Sequence, residues 1–222
     1  FQRITRARSV VYSALVPNER GMQRALQARV DQVSVFTAAS ETFTRKNVNA
    51  SIDQTFERFV PVVEQAQAAR LRVRGYVSTA FWCPYEGPVA PAAVVAVALR
   101  LLDLGVDEIS IGDTIGKATP SEVATLLDAL LPHVDAARVG MHFHDTYGRA
   151  TANVVAAYDQ GVRTFDAAVG GLGGCPYALG APGNVATGAV VQALRDHGVD
   201  VGVDVAVLGR AREVIAPWIR PR

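Results

Sequence analysis

The run Glu108-Ile109-Ser110-Ile111-Gly112, continued by Asp113-Thr114-Ile115-Gly116 and then by Thr119-Pro120-Ser121-Glu122, decides the fold of this chain. Apolar residues alternate with small ones over the first five positions, as in a β-strand. Thr119 and Glu122 have the spacing of a helix capping box, and Pro120 suits the first position of a helix. The stretch therefore predicts a strand–loop–helix unit with Asp113 at the end of its strand.

Similar units recur along the whole chain. Strand patterns occupy residues 9–16, 32–37, 73–79, 108–112, 138–144 and 164–169, and helix patterns such as 51–69 and 91–104 lie between them. Gly105 and Gly161 follow two of the helix patterns, where glycine suits the end of a helix. Repeated strand–helix units predict a parallel sheet covered by helices.

Two architectures have such a sheet, a doubly wound sheet and a (β/α)₈ barrel. No Gly-x-Gly-x-x-Gly motif follows the first strand, which counts against a dinucleotide-binding doubly wound sheet. Candidate chemical groups follow several different strands, as in barrel enzymes. We therefore expect an α/β fold of the TIM (β/α)₈ type with only about six βα units, the two N-terminal units being missing. Residues 1–222 would form a single partial catalytic domain, with a helical tail from about residue 199 and a helix at 207–215.

The composition narrows the class of protein. The chain has 222 residues, half of them apolar, and a formal net charge of +1. It has neither an apolar run of about 18 residues nor a long basic run, so we expect no membrane and no nucleic-acid partner. Two cysteines, Cys83 and Cys175, indicate a reducing compartment rather than a disulfide framework. The first residues lack the apolar segment of a signal peptide, and we expect a cytoplasmic protein.

A histidine pair is the first candidate site. His142 and His144 are two residues apart in a strand pattern, so both imidazoles point to one face of the sheet. Such a pair predicts a metal site, the alternative being two hydrogen-bonded core histidines. Asn184 offers an amide oxygen that suits Mg²⁺ or Mn²⁺ better than Zn²⁺, or else it is a left-handed turn residue after Gly183. Asp145 follows the pair and could be only a helix N-cap.

Three further polar residues lie on predicted strands. Asp113, at a strand end, is a candidate catalytic carboxylate or a loop cap. Ser110 should face the interior, where its hydroxyl could contact a substrate. Asp166 lies within a strand, and we interpret it as a buried, hydrogen-bonded structural acid.

A glycine-rich segment surrounds the second cysteine: Gly170-Gly171-Leu172-Gly173-Gly174-Cys175-Pro176-Tyr177, then Gly180-Ala181-Pro182-Gly183-Asn184. So many glycines indicate turns with positive φ or a close approach of the backbone to a small ligand. Cys175 is a candidate catalytic acid, the alternatives being a structural thiol or a redox sensor. Elsewhere, Glu41 and the pair Arg45-Lys46 either begin a solvated helix or form a positive rim for a phosphorylated ligand.

These segments resemble the 3-hydroxy-3-methylglutaryl-coenzyme A lyase family. The cysteine loop is the most specific part, whereas His-x-His-Asp is shared with related Claisen-type synthases. The similarity runs through nearly the whole chain and includes residues 39–47, 73–78, 83–87, 108–116 and 142–148. It implies a TIM barrel that binds a divalent cation, Mg²⁺ or Mn²⁺, and splits an acyl-CoA into acetyl-CoA and acetoacetate. It also implies a homo-oligomer, a dimer.

The resemblance assigns roles by position. The metal ligands would be His142, His144 and Asn184. The catalytic groups would be Cys175 as the thiol and Asp113 or His142 as the base. The substrate-binding residues would be Tyr76, Ser110 and Asn47.

The sequence also departs from the family. The Arg-Asp pair of the family's first strand and the Glu of its second strand are absent, in agreement with two missing units, and we expect this segment alone to be inactive. Phe81-Trp82 stands where small residues are usual, which could alter the acyl specificity, and Gly188 stands where an acid is usual. Two alternatives remain, a Claisen-type acyl-CoA synthase of the isopropylmalate or homocitrate kind and an inactive truncated homologue.

Overall fold

A computed structural model of the chain describes residue 1, residues 3–174 and residues 183–218. The strands are β1 (Ser13–Leu15), β2 (Gln32–Ala38), β3 (Arg72–Ser78), β4 (Trp82–Cys83), β5 (Gly87–Pro88), β6 (Glu108–Asp113), β7 (Val139–Phe143) and β8 (Thr164–Asp166). The helices are α1 (Glu19–Ala28), α2 (Glu41–Val48), α3 (Ile52–Ala68), α4 (Pro91–Asp103), α5 (Pro120–Leu130), α6 (Ala150–Asp159), α7 (Thr187–Asp196) and α8 (Val205–Ile215).

Six strands form one parallel sheet in the order β1-β2-β3-β6-β7-β8. Because the order follows the chain, each helical crossover moves one place in the same direction. A doubly wound sheet would reverse direction at a switch point, so the barrel-type prediction with six units is confirmed. Within the described residues, β1 pairs only with β2 and β8 only with β7, so the sheet is an open part of a barrel.

The sheet is curled, and one side-chain contact demonstrates the curl. Arg74 on β3 forms an ion pair at 2.7 Å with Asp166 on β8, three strands away. Three strand spacings in a flat sheet amount to about 14 Å, which is too far for these two side chains unless the strands bend toward each other. The concave face thus encloses an interior of polar residues.

The two faces of the sheet differ in chemistry. On β6, Ile109 and Ile111 are fully buried in the main hydrophobic core, which lies between sheet and helices. Ser110 alternates with them and faces the polar interior, where it hydrogen bonds to Asp166. The predicted alternation of this strand is therefore confirmed.

The helix ends follow the predicted signals. Thr119 Oγ1 accepts a hydrogen bond from Glu122 N, and Glu122 accepts one from Thr119 N, which completes the capping box of α5. Gly105 and Gly161 follow α4 and α6 with φ of 102° and 96°, a region that favours glycine. None of the helices in the described segments is long and apolar enough to cross a membrane.

Three boundaries differ from the sequence predictions. The first strand covers only Ser13–Leu15, and the last one ends at Asp166, where a 3-10 turn over Val169–Gly171 soon follows. The C-terminal helix begins two residues earlier than predicted, because Asp204 caps it by accepting hydrogen bonds from the amides of residues 206 and 207. The short hairpin of β4 and β5 carries no periodic signal and was not predicted.

Candidate active site

A cavity of about 270 Å³ opens at the carboxyl ends of the parallel strands. Its lining residues come from these strand ends, from α2 and from the glycine-rich segment after β8: Leu15, Phe36, Phe43, Asn47, Tyr76, Val77, Ser78, Gly112, Thr114, His142, His144 and Gly174. A wider depression of about 440 Å³ beside Phe1 and Arg6 contains none of the candidate residues. We therefore take the first cavity as the candidate active site.

Both predicted histidines line this cavity. Their ring centroids are 5.3 Å apart and the ring planes meet at 54°. The His142 side chain is about 29% exposed, whereas His144 is 5% exposed and its Nδ1 has no hydrogen-bond partner in the part of the chain that the structure describes. Burial, with a smaller contribution from His142, lowers the pKa of His144 to about 4. His144 is therefore neutral near pH 7 and has a lone pair available to a ligand.

Asn184 lies beside the histidine pair. Its backbone forms an isolated antiparallel bridge with His144, and its side-chain Nδ2 donates a hydrogen bond to the carbonyl of Leu172 at 2.9 Å. Gly183, not Asn184, has positive φ, so the alternative of Asn184 as a left-handed turn residue is excluded. With the amide nitrogen engaged, Asn184 Oδ1 is left as an acceptor.

These three residues together could hold a divalent cation. In the part of the chain that the structure describes, no three His, Cys, Asp or Glu side chains form such a group, so the site depends on the amide oxygen. The unpartnered Nδ1 of His144 is an observation that favours a ligand there, because a buried polar atom without a partner is costly. Imidazole nitrogens and an amide oxygen are acceptable ligands for Mn²⁺ and Mg²⁺.

Asp166 joins the histidine pair to a buried ionic network that the sequence analysis missed. Its Oδ1 accepts a hydrogen bond from Arg74 Nη1 at 2.7 Å, and its Oδ2 accepts one from Ser110 Oγ at 3.1 Å and lies 3.2 Å from His142 Nδ1. Burial alone would raise the pKa of Asp166, but the hydrogen bond with His142 and the charge of Arg74 hold it below its usual value. Asp166 is thus hydrogen-bonded, as interpreted, but it is only partly buried and contacts the site.

Besides Asp166, Arg74 contacts two further residues of the network, Glu108 and Tyr76. Arg74 Nε lies 3.1 Å from Glu108 Oε1, an ion-pair contact without the alignment of a hydrogen bond, and Nη1 donates to Tyr76 Oη at 3.1 Å. Nothing in the local sequence marks Arg74 as buried. The available signal is its place on the same strand face as Tyr76.

The predicted substrate-binding residues fall into two groups. Asn47 and Tyr76 line the cavity, although the Tyr76 hydroxyl is held by Arg74 and its pKa is raised to about 12, chiefly by burial. Ser110 is fully buried, donates to Asp166 and is not part of the cavity wall. The Ser110 hydroxyl belongs to the network below the cavity, and a contact between Ser110 and substrate stays a prediction.

Asp113 lies at the end of β6, as predicted, and its carboxylate caps the loop that follows. Its carboxylate is fully buried, and its two oxygens accept hydrogen bonds from the amides of Lys117 and Ala118 at 3.1 Å. Burial raises the pKa of Asp113 to about 6 despite these bonds. Asp113 thus caps its loop and does not line the cavity in this structure, and its acid or base role stays a prediction.

The remaining candidate residues from the sequence analysis either do not line the cavity or are not among the residues that the structure describes. Phe81 packs against Phe143, and Trp82 donates to Glu122 at 3.0 Å, so neither shapes the cavity wall. Ser40 caps α2, which supports a helix start at Glu41. Cys175 lies outside the described residues.

The fold and the site define a protein of the TIM-barrel class with a polar, histidine-containing site at the carboxyl ends of its strands. The HMGL-like family model matches residues 1–215, and the chain belongs to this family. The resemblance inferred from the sequence is thereby confirmed.

Individual relatives agree with this assignment. The chain is 52% identical over 201 residues to the hydroxymethylglutaryl-CoA lyase of Pseudomonas mevalonii, covering 90% of this chain and 67% of that protein. An HMG-CoA lyase structure from Brucella melitensis superposes with a TM-score of 0.95 at 46% identity, over 98% of this chain and 77% of the other. An HMG-CoA lyase structure from A. baumannii, in complex with coenzyme A and 3-methylmalate, matches with a TM-score of 0.91 at 35% identity, over 98% and 70%. Among curated relatives the match spans 60% to 69% of their length.

Proposed function

We propose that the active site to which these residues belong carries out the hydroxymethylglutaryl-CoA lyase reaction, the cleavage of 3-hydroxy-3-methylglutaryl-CoA or a close acyl-CoA to acetyl-CoA and acetoacetate. The observation that carries the proposal is a strand-end cavity lined by His142 and His144, with Asn184 bridged to His144 beside it, in a chain of the HMGL-like family. The coenzyme A bound to the A. baumannii relative supports an acyl-CoA ligand.

We assign the three convergent residues to a divalent cation, Mg²⁺ or Mn²⁺. When bound, the cation supplies Lewis-acid chemistry that lowers the pKa of a hydroxyl group in its coordination shell. All three donors are neutral and compensate poorly for the lost hydration of a dication. Strong binding therefore requires an anionic ligand in addition, such as a carboxylate of the substrate.

The reaction needs two proton transfers. The tertiary hydroxyl loses a proton, the C–C bond breaks to release acetoacetate, and the enolate carbon of acetyl-CoA gains a proton. His142 faces Asp166 with Nδ1 and has one other ring nitrogen, so it cannot be both a cation ligand and the base. We keep it as a ligand and assign no base among the described residues. Cys175 remains the proposed proton donor to the enolate carbon, as the resemblance implies.

The cavity wall fits such an acyl group. Leu15, Phe36 and Phe43 supply apolar surface that suits a methyl-bearing chain, whereas Ser78 and Thr114 contribute hydroxyl groups. Apolar surface beside the reacting carbons also excludes water, which would compete for protonation of an enolate.

An acetoacetate-release assay tests the proposal. The protein is incubated with 3-hydroxy-3-methylglutaryl-CoA and with analogues of longer acyl chain, each with Mn²⁺, with Mg²⁺ or with EDTA. Cation-dependent release of acetoacetate supports the lyase. Release of free CoA from acetyl-CoA and a 2-oxo acid would instead identify a synthase, and a folded full-length protein without either activity would be an inactive homologue.

A further inference from the structure

Asp166 is the meeting point of three strands besides its own. It receives Arg74 from β3 and Ser110 from β6, and it lies beside His142 of β7. His142 and Asp166 are also direct neighbours in the register of β7 and β8. The carboxylate is therefore fixed from two sides before it meets the imidazole.

Arg74 and Ser110 both donate hydrogen bonds to Asp166, and this determines whether Asp166 or His142 carries the proton in their contact. Arg74 can only donate, and Ser110 donates to the same carboxylate, so Asp166 is an ionised acceptor. An ionised carboxylate has no hydrogen to give, so the contact at 3.2 Å requires that His142 Nδ1 carries the proton. The lone pair of the neutral ring then lies on Nε2.

His144 provides the contrast within the same site. Among the described residues its buried Nδ1 has no hydrogen-bond partner, so no carboxylate there accepts a hydrogen from that nitrogen. The two rings, 5.3 Å apart, are thus held by different means, one by an ionic network and the other by burial alone.

We propose that Asp166 is a positioning residue that holds His142 in the Nδ1-protonated form, so that Nε2 presents its lone pair to the cavity, and that Arg74 fixes Asp166 for this task. A carboxylate behind a ligating histidine commonly sets the ring's tautomer and orientation. The tautomer assignment stands on the hydrogen bonds alone, whereas its use for cation binding rests on the proposed function.

Imidazole ¹⁵N NMR tests the assignment directly and needs no activity. The chain has four histidines, so the ring signals of a ¹⁵N-histidine-labelled sample are few, and the loss of one set in His142→Gln identifies those of His142. In the metal-free protein at neutral pH we expect an Nδ1-protonated His142. An Nε2-protonated ring would overturn the proposal, and the tautomer itself is read in the wild-type protein, His142→Gln serving only to assign the signals.

Asp166→Asn sharpens the test. Arg74 needs an acceptor, so the Asn oxygen faces Arg74 and its NH₂ faces His142, which shifts the ring proton to Nε2. Asp159→Asn is the matched control, because Asp159 contacts His197 at 2.8 Å on the surface and should leave the His142 signals unchanged. An unaltered His142 tautomer in Asp166→Asn would overturn the proposal.

Mn²⁺ titration, read by electron paramagnetic resonance of the free ion, links the tautomer to the site. We expect Asp166→Asn to weaken Mn²⁺ binding about 10- to 100-fold and Asp159→Asn to leave it unchanged. If Asp166→Asn flips the tautomer but binds Mn²⁺ like the wild type, the positioning role toward the cation is overturned. If the wild type has the expected tautomer but binds no Mn²⁺, the tautomer assignment is supported and the cation site in the proposed function is contradicted.

Discussion

Gly140 lies directly against the guanidinium group of Arg74, so close that a Cβ at position 140 would overlap Arg74 Nη2. Gly140 is on β7, between β6 and β8, and Arg74 crosses over it on its way to Asp166. The absence of a side chain at this one position is therefore what allows the arginine to span the concave face of the sheet.

Gly140→Ala should destabilise the protein by about 1–3 kcal/mol, because the added methyl group forces Arg74 out of a filled space. Gly188→Ala is the control, since a Cβ at this position of α7 meets only Leu208 of α8 at 3.8 Å, an ordinary van der Waals contact. Urea denaturation measures both free energies of unfolding. Equal values for the two variants would contradict the close contact.

Arg74→Met should cost about 3–5 kcal/mol of unfolding free energy, because it leaves Glu108 and Asp166 as buried charges without their partner. Arg72→Met provides a comparison on the same strand, since Arg72 lies 3.7 Å from Glu108 but is 60% exposed. We expect that variant to remain within about 1 kcal/mol of the wild type. A similar cost for both would mean that burial of Arg74 is energetically unimportant.

His144 and Asp113 should give the metal-free protein opposite pH dependences. The pKa of His144 is lowered to about 4 in the folded state, so its contribution is present above pH 6.5 and is lost as the pH falls toward 4. The pKa of Asp113 is raised to about 6, so its contribution is present below pH 3.8 and is lost as the pH rises toward 6. Each group changes stability by at most about 1.4 kcal/mol per pH unit.

Two variants separate these contributions in EDTA-containing buffer. The free energy of unfolding of His144→Gln should fall less than that of the wild type as the pH is lowered from 6.5 to 4. That of Asp113→Asn should fall less than that of the wild type as the pH is raised from 4 to 6. Denaturant unfolding at half-unit pH steps provides the measurement. Parallel curves for the wild type and either variant would contradict the corresponding pKa shift.

His144→Ala should weaken Mn²⁺ binding by about tenfold or more, because it removes the ligand whose Nδ1 is buried without another partner. His133→Ala serves as the control, because His133 is exposed and does not line the cavity. Isothermal titration calorimetry gives both affinities. Equal affinities would show that the cation, if bound, lies elsewhere.

Cys175→Ser should lower kcat for acetoacetate release by about 100-fold with little change in KM, as expected when a proton donor is lost. Cys83→Ala is the matched thiol variant, since Cys83 is buried against Ser40 at 3.1 Å and does not line the cavity. Steady-state kinetics distinguishes the two. Wild-type turnover by Cys175→Ser would remove Cys175 from the catalytic assignment.

The amino-acid sequence alone determined the local structure. The alternation of β6, the capping box of Thr119 and Glu122, and the glycines after α4 and α6 all lie where they were predicted. Such signals are readable because strand period, helix caps and positive φ depend on neighbours a few residues apart. For the same reason, two-residue spacing sufficed to place His142 and His144 on one face.

Tertiary structure decided what those residues contact. Arg74 and Asp166 are 92 positions apart, and Ser110 and Asp166 are 56 apart, so their contacts depend on the order, register and curl of the strands. The same register turned Asp113 into a loop cap and buried Ser110 below the cavity. A residue's periodicity indicates which face it occupies, but its partners on that face are supplied by distant strands, and only folding brings those together.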